Sequence, residues 1–238
     1  MKWFSTLAGV SFPFLLAVPC SYGQDSSYVE GYAAFGGQGS IVAYYPLETG
    51  ATDASCNAHD GNVNGGASFE PAKFGMGLKC DGDDDSVTIP SDAAFDNPTG
   101  ISFCAWVRPE RSGSNETILD RDMSFNLKTR ENPQGTFTFV VGGTVLEYGT
   151  YETDTTYHLC CTYDGQYVKS YVNGSFNSAL PRTGNVPAGP MAEITIGEAS
   201  GAGLEFFQGW IDDVVILDRA LLARLSHEGD FSTGNAGL

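Results

Sequence analysis

Short strand-like runs separated by turn pairs constrain the fold more than any other feature of this sequence. The runs are rich in Val, Ile, Thr, Tyr and Phe, a composition typical of β-strands. The clearest predicted strands are 41–47, 86–90, 101–107, 136–141, 157–163, 167–172, 194–197 and 210–217. The pairs Gly142-Gly143, Asp164-Gly165 and Asn173-Gly174 fall where hairpins would close. Helical character is confined to residues 219–227, so the sequence predicts an all-β sandwich or barrel.

The N-terminal residues predict secretion. Residues 1–23 combine a basic start, an apolar run and small residues at a cleavage position, the pattern of a signal peptide. The run is short and holds Pro13, which disfavours a membrane anchor, and no later segment is long and apolar enough to span a bilayer. Residues 24–40 are expected to form a linker or N-terminal arm. A single domain over residues 41–228 and a C-terminal tail over 229–238 complete the predicted organisation.

The charge balance limits the possible partners. Acidic residues outnumber basic ones 29 to 12, and the formal net charge is −17. Such a surface repels polyanions, which argues against nucleic acid and anionic membranes as partners. Cation binding and simple solubility both remain compatible with this excess.

Five cysteines follow the predicted signal peptide: Cys56, Cys80, Cys104, Cys160 and Cys161. In a secreted chain this number predicts two disulfides and one odd thiol. The histidines are isolated and no Cys-x-x-Cys spacing occurs, so zinc is not expected. Sequons at Asn115 and Asn173 predict glycosylation, although Asn173-Gly174 is also a common hairpin turn.

The order of four segments resembles the laminin-G-like, concanavalin A-like jelly rolls. The segments are residues 43–90, 101–110, 157–174 and 194–221. The resemblance covers about residues 41 to 225, and it implies a sandwich of two antiparallel sheets. Trp106, in the middle of a predicted strand, is expected to be a core residue rather than a sugar-stacking platform.

The cysteine positions resemble those of pentraxins and imply a Cys104–Cys160 disulfide. Cys56 then pairs most naturally with Cys80, which leaves Cys161 free, either buried or available to a second chain. The alternative joins Cys80 to Cys161. A homo-oligomer formed through Cys161 or through the N-terminal arm is therefore one expectation.

Two adjacent carboxylates stand at the head of the last predicted strand. Strand alternation places Asp212 on one face with Val214 and Ile216, and Asp213 on the other. A carboxylate on the core face needs a cation, backbone N–H groups or access to water.

The resemblance to jelly-roll glycanases implies that Asp212 helps to hold a structural calcium ion. Its expected partners are Glu48, Asp53, Asn57 and Asp60. The alternative is a carboxylate at the rim that accepts hydrogen bonds from loop N–H groups, and both interpretations remain open. The acidic run 81–86 is read as a solvated turn rather than as a calcium loop.

Catalysis is not expected. Retaining glycanases need two closely spaced carboxylates, and no such spacing or Ser/His/Asp set is apparent in this sequence. Two hypotheses follow: a secreted, lectin-like carbohydrate-binding or adhesive module, and a structural subunit of an extracellular assembly. In the first, Tyr148, Tyr151 and Tyr163, as loop aromatics, and Trp210 are candidate stacking surfaces for a glycan. The expected partner is a glycan or an extracellular protein.

Overall fold

The computed structural model of the protein describes residues 41–96, 99–122, 124–131, 135–188, 192–200 and 203–221. The predicted signal peptide, N-terminal arm and tail lie outside these residues, as do most residues of the predicted helix 219–227. Within the described ranges, the only helical element is one turn of 3-10 helix at Ala93–Phe95. No helix in this part of the chain is long and apolar enough to cross a membrane.

Fifteen strands make up the described domain. They are β1 (Ile41–Tyr45), β2 (Asn62–Asn64), β3 (Ser68–Pro71), β4 (Met76–Asp81), β5 (Ser86–Ile89), β6 (Ile101–Pro109), β7 (Glu116–Arg121), β8 (Phe125–Arg130), β9 (Thr136–Val141), β10 (Thr144–Thr150), β11 (Tyr157–Tyr163), β12 (Tyr167–Val172), β13 (Ser175–Pro181), β14 (Ile194–Ile196) and β15 (Gln208–Leu217). Every strand predicted from the sequence is present, and the three predicted turn pairs connect hairpins.

Two antiparallel sheets pack face to face, which confirms the predicted jelly-roll sandwich. The large sheet has eight strands in the order β13, β12, β11, β6, β15, β4 and β3, with β1 beside β15. The small sheet has seven strands in the order β10, β9, β8, β7, β14, β5 and β2. Sandwiches of this kind bury the inner faces of both sheets in one core.

Strand β15 lies at the centre of the large sheet. One of its edges bonds to β6. The other edge is shared, since residues 208–211 pair with β4 and residues 214–217 pair with β1. Residues 212 and 213 therefore stand where the strand exchanges one neighbour for another.

Apolar side chains fill two layers. The first is the core between the sheets, which includes Phe103, Phe139 and Ile211. The second lies on the outer face, defined here as the face of the large sheet turned away from the small sheet, and includes Trp106, with 7% of its surface exposed. Loops cover this second layer, so the expectation that Trp106 is buried is confirmed.

The predicted Cys104–Cys160 disulfide is confirmed. It joins β6 to β11 at directly opposed positions, with a Cα–Cα distance of 4.2 Å. Both residues belong to the apolar layer on the outer face. The bond therefore links the two strands beneath the covering loops.

The predicted pairing of Cys56 with Cys80 is wrong. Cys80 is a free thiol that faces the core from β4, whereas Cys56 lies exposed in a loop. The alternative pairing of Cys80 with Cys161 is also wrong, because both thiols are free.

Cys161 is enclosed in the core between the sheets. Its side chain is fully buried, and its thiol donates a hydrogen bond to the phenolic oxygen of Tyr148 at 3.1 Å. Burial raises the pKa of this thiol to about 12, so the reactive thiolate is scarce at neutral pH. Of the two alternatives for Cys161, the structure shows the buried thiol, and formation of a homo-oligomer stays a prediction.

Candidate ligand-binding site

The two carboxylates of β15 lie at a β-bulge. The prediction that Asp212 shares a face with Val214 and Ile216 is therefore wrong. The register with β6 shifts after Asp212, and Asp213 is the extra residue of the bulge, with φ of 49°. Val214 and Ile216 consequently face the core, whereas Asp212 pairs with Trp106 on the outer face. Strict alternation fails here because a bulge places two residues opposite one.

Asp212 is 2% exposed, and its two oxygens differ in environment. Oδ2 accepts a hydrogen bond from the N–H of Phe74 at 2.9 Å, while Oδ1 has no hydrogen-bond partner among the described residues. Burial, together with the negative charge of Glu48, raises the pKa of Asp212 from 3.8 to about 7, although the Phe74 N–H acts in the opposite direction. The adjacent Asp213 accepts a hydrogen bond from the hydroxyl of Tyr44 at 2.5 Å.

Asp53, one of the predicted calcium ligands, organises a loop of its own. Its Oδ1 accepts hydrogen bonds from the N–H groups of Tyr44 at 3.0 Å and Ser55 at 2.8 Å. Its Oδ2 accepts from the hydroxyl of Ser55 at 2.9 Å and the N–H of His59 at 3.0 Å. Both oxygens are thus already used by the protein.

The other predicted ligands divide between this loop and Asp212. Asp60 accepts a hydrogen bond from the N–H of Asp53 at 2.8 Å, and Asn57 donates its amide to main-chain oxygens of β1. Glu48 and Asp212 both accept hydrogen bonds from N–H groups at the connection of β3 and β4, Glu48 from Met76 at 3.0 Å and Asp212 from Phe74 at 2.9 Å. The structure therefore associates Glu48 with Asp212, and Asn57 and Asp60 with Asp53.

The three tyrosines predicted to be loop platforms are core residues instead. Tyr148, Tyr151 and Tyr163 are 4%, 7% and 0% exposed. The ring of Tyr151 packs against Phe137 with 4.9 Å between centroids, and the hydroxyl of Tyr163 donates to the main-chain oxygen of Gly184. Their rings face the interior, so they are not available to stack on a ligand.

Trp210 lies half-buried on the outer face, but its ring is already covered. Lys79 Nζ and the guanidinium carbon of Arg108 each lie 3.6 Å from the ring centre. These cations come from β4 and β6, the strands on either side of β15. Trp210 therefore makes cation–π contacts rather than offering a free surface for sugar stacking.

A small cavity opens beside Trp210, and we call it the outer-face pocket. Its volume is about 50 Å³. Its polar lining residues are Lys73, Trp106, Arg108, Thr156, Trp210 and Asp212. The indole Nε1 atoms of both tryptophans and Nε of Arg108 are buried, and none has a hydrogen-bond partner among the described residues. Lys73 Nζ lies 4.8 Å from the ring centre of Trp106.

Sequence reasoning assigned only Trp210 and Asp212 of this pocket to a candidate site. Alternation along each strand puts Trp106 with Arg108 on one face, and Trp210 with Asp212 on one face. The missing information was the register that sets Asp212 opposite Trp106 and Trp210 opposite Arg108. A two-residue period contains no signal for such pairing between distant strands.

The acidic turn between β4 and β5 brings Asp81, Asp84 and Asp85 together, with ligand oxygens within 4.8 Å of one another. Hydrogen bonds inside the turn use these carboxylates, since Asp85 accepts from the N–H of Asp81 at 3.0 Å and Asp81 from the N–H of Asp83 at 2.9 Å. Such bonds are typical of Asx turns. Most of the cluster is exposed to solvent.

Both predicted glycosylation sites lie in connections between strands. Asn115 Oδ1 accepts from the N–H of Glu131 at 3.2 Å, and Asn173 Oδ1 accepts from the N–H of His158 at 2.8 Å. Asn173 occupies the β12–β13 turn with φ of 50°, as an Asn-Gly turn requires. Glycosylation of either asparagine stays a prediction.

This two-sheet architecture defines a concanavalin A-like jelly-roll domain. The chain belongs to the concanavalin A-like lectin/glucanases superfamily. A laminin G family of this superfamily matches residues 81–224 of the sequence. No curated protein sequence matches the chain.

Solved structures support the same fold. Domain 4 of AbnA, an extracellular arabinanase from Geobacillus stearothermophilus, in complex with arabinotriose, has a TM-score of 0.63 at 20% identity, and the match covers 77% of this chain and 94% of that one. The ligand-binding domain of botulinum neurotoxin serotype D with N-acetylneuraminic acid has a TM-score of 0.61 at 15% identity, covering 81% and 50%. The binding domain of Paraclostridial Mosquitocidal Protein 1 gives 0.63 at 14% identity, covering 78% and 50%. The chain thus spans about half of these two toxin domains.

Proposed function

We propose that the protein is a secreted, non-catalytic, lectin-like module that binds a glycan at the outer-face pocket. The observation that carries this proposal is that three residues lining the pocket, Trp106, Trp210 and Arg108, each hold a buried N–H donor without a partner among the described residues. A buried donor without a partner costs about 1–3 kcal/mol, so such donors usually meet water or a ligand. Sugar hydroxyl and ring oxygens are acceptors that would satisfy them.

Two further observations support a carbohydrate over other ligands. The superfamily includes lectins, and one structural relative is described with arabinotriose and another with N-acetylneuraminic acid. The signal-like segment at residues 1–23 supports secretion, where glycans of cell surfaces and matrices are accessible. The non-catalytic role is supported by the sequence, in which no motif of the Glu-x-Asp-x-x-Glu type places two catalytic carboxylates on one strand face.

A glycan array tests this proposal with the chain that begins at residue 24. We expect one group of related glycans to bind, and we expect Trp210→Phe, which removes the indole N–H and keeps a ring, to weaken binding about two- to tenfold. Tyr167→Phe is a matched control, because this exposed ring lies on the same sheet outside the pocket. Absence of binding to every glycan on the array would overturn the proposal.

Calcium binding is proposed at Asp212 and Glu48. The buried Oδ1 of Asp212 has no hydrogen-bond partner among the described residues, and burial together with the neighbouring negative charge of Glu48 raises the pKa of Asp212. A cation between the two carboxylates would relieve both costs. Asp53, Asn57 and Asp60 are not included. Asp53 and Asp60 accept hydrogen bonds from groups of residues 53–59, and Asn57 donates its amide to main-chain oxygens of β1. The expected result is a melting temperature that rises with calcium and falls with a chelator. In Asp212→Ala this dependence should vanish, whereas a wild-type melting temperature indifferent to calcium would exclude the site.

A structural role in an extracellular assembly is the second candidate. One observation favours it: β13 is an edge strand of the large sheet, and its Phe176 and Leu180 are 60% and 37% exposed. An exposed edge of this kind can pair with the same edge of a second copy. Light scattering at increasing concentration distinguishes the roles, because a monomer at every concentration would remove this candidate.

A further inference from the structure

We propose that the outer-face pocket binds the carboxylate of an acidic sugar, so that the glycans recognised are those carrying a uronic or sialic acid. This inference rests on the proposed carbohydrate-binding function and specifies its substrate class. The observations behind it are the distribution of basic side chains, the unused donors in the pocket and the size of the pocket.

Basic side chains are scarce in this acidic protein, and almost all have partners. Of the twelve Lys and Arg residues, all but Lys2 and Arg224 lie in the described part of the chain. Seven of these form salt bridges with carboxylates. Arg182 instead donates to three main-chain oxygens. Within the described residues, this leaves Lys73 and Arg108 without an anionic partner.

Both remaining cations line the outer-face pocket. The chain has 29 acidic residues, yet none of those described forms a salt bridge with Lys73 or Arg108. The buried Nε of Arg108 has no hydrogen-bond partner among the described residues. A guanidinium group with a free donor can bind a carboxylate through charge-assisted hydrogen bonds.

The other donors of the pocket fit the same group. The Nε1 atoms of Trp106 and Trp210 carry N–H groups that can only donate, and both lack a described partner. Two carboxylate oxygens offer about four acceptor positions, more than a single hydroxyl group offers. The pocket therefore combines positive charge with donors that suit an anionic oxygen pair.

The size of the pocket selects a substituent rather than a whole sugar ring. Its volume is about 50 Å³. A single water requires about 10–15 Å³ by the same kind of measure, so the pocket holds about four water-sized groups. A carboxylate fits such a space while the sugar ring stays outside it, beside Lys73 and Thr156, the exposed residues of the lining.

Two sources of negative charge in the protein limit the kind of anion that the pocket can bind. Asp212 also lines the pocket, so its carboxyl group limits the number of negative charges that a ligand can bring there. The formal net charge of −17 disfavours polyanions at long range. A single carboxylate on a short glycan fits these conditions better than a densely sulfated chain.

The test measures the affinity of purified protein for paired ligands by isothermal titration calorimetry. Sialyllactose is compared with lactose, and trigalacturonate with its methyl ester, which keeps the sugar and removes the charge. A heparin oligosaccharide represents the densely sulfated chain. We expect at least one carboxylated ligand to bind about tenfold or more tightly than its neutral counterpart, the usual effect of a charge-assisted hydrogen bond.

Matched variants inside and outside the pocket show where the carboxylated ligand binds. Lys73→Gln and Arg108→Gln should each reduce this preference about tenfold. Lys169→Gln, which changes the net charge equally at a site outside the pocket, should leave it unchanged. Because Lys73 is exposed, its variant is expected to fold even if Arg108→Gln does not.

The outcomes separate the two proposals. Equal binding of charged and neutral partners, or a preference insensitive to Lys73→Gln, overturns the carboxylate inference and leaves the glycan-binding function standing. Binding of the heparin oligosaccharide alone also overturns the inference. Absence of binding to all five ligands overturns the inference, while a silent glycan array overturns the proposed function itself.

Discussion

Replacing Asp212 with asparagine should flatten the pH dependence of stability. Asp212 is buried, and its pKa is raised from 3.8 to about 7 in the folded protein. The unfolded chain therefore releases this proton at lower pH than the folded chain does. Between these two pKa values the folded state binds more protons, so the free energy of unfolding falls as pH rises, and the loss is complete above the folded pKa.

The magnitude follows from the size of the shift. Each pKa unit corresponds to about 1.4 kcal/mol, so a rise of about three units amounts to about 4 kcal/mol between the two limits. About 3 kcal/mol of this loss falls between about pH 5 and about pH 8, where most proteins stay folded. Asp212→Asn keeps an acceptor for the N–H of Phe74 and removes the ionisation. The variant should therefore gain about 3 kcal/mol relative to the wild type across this interval.

Urea unfolding of both proteins at several pH values, in chelator, measures this difference. The contributions of the other titrating groups to the free energy of unfolding largely cancel in the comparison, because the two proteins differ only at position 212. Asp154→Asn is a suitable control, since Asp154 is exposed with φ of 60°, a conformation that asparagine tolerates. Parallel stability curves for the wild type and Asp212→Asn would refute the reasoning, because they would mean that Asp212 ionises equally easily in both states.

Three further predictions concern packing and the cysteines. Gly75→Ala should lower the free energy of unfolding by about 1–3 kcal/mol, because Gly75 has φ of 61° and an added Cβ would overlap the Glu48 carboxylate. A urea unfolding curve that matches the wild type would contradict this prediction. Replacing Cys104 and Cys160 together with alanine should cost about 2–5 kcal/mol, measured in the same way, and an unchanged midpoint would show that the bond does not stabilise the fold. Cys161 should resist a thiol reagent in the native protein and react after denaturation, whereas rapid native labelling at this cysteine would contradict its burial.

The sequence predicted the strands that combine apolar content with clear turns, and it missed strands that are short or polar. Strand β2 is exposed along its whole length and β13 along most of it, so neither shows an apolar period. Strand β7 is buried throughout even though it contains Glu116 and Arg121. These charges are tolerated because Glu116 pairs with Arg111 in the preceding connection and Arg121 pairs with Asp96 before β6. The apolar period of a strand indicates neither pair.

The candidate site was harder to predict for two physical reasons. First, the bulge at Asp213 reverses the facing of the residues that follow it, and strand periodicity cannot anticipate an inserted residue. Second, aromatic content predicts burial as readily as binding, and Tyr148 and Tyr163 proved to be core residues. The pocket itself depends on the pairing of β15 with β6, which brings together side chains about a hundred residues apart in the chain.

The shared edge of β15 has a consequence for how the chain reaches its native state. The large sheet remains divided until β15 inserts, because this late strand is the neighbour of β1, β4 and β6. Contacts of such long sequence separation slow folding and delay it until nearly all of the domain has been synthesised. A chain interrupted before Gln208 would expose three unpaired strand edges at once, so truncation there should produce aggregation rather than a smaller stable domain.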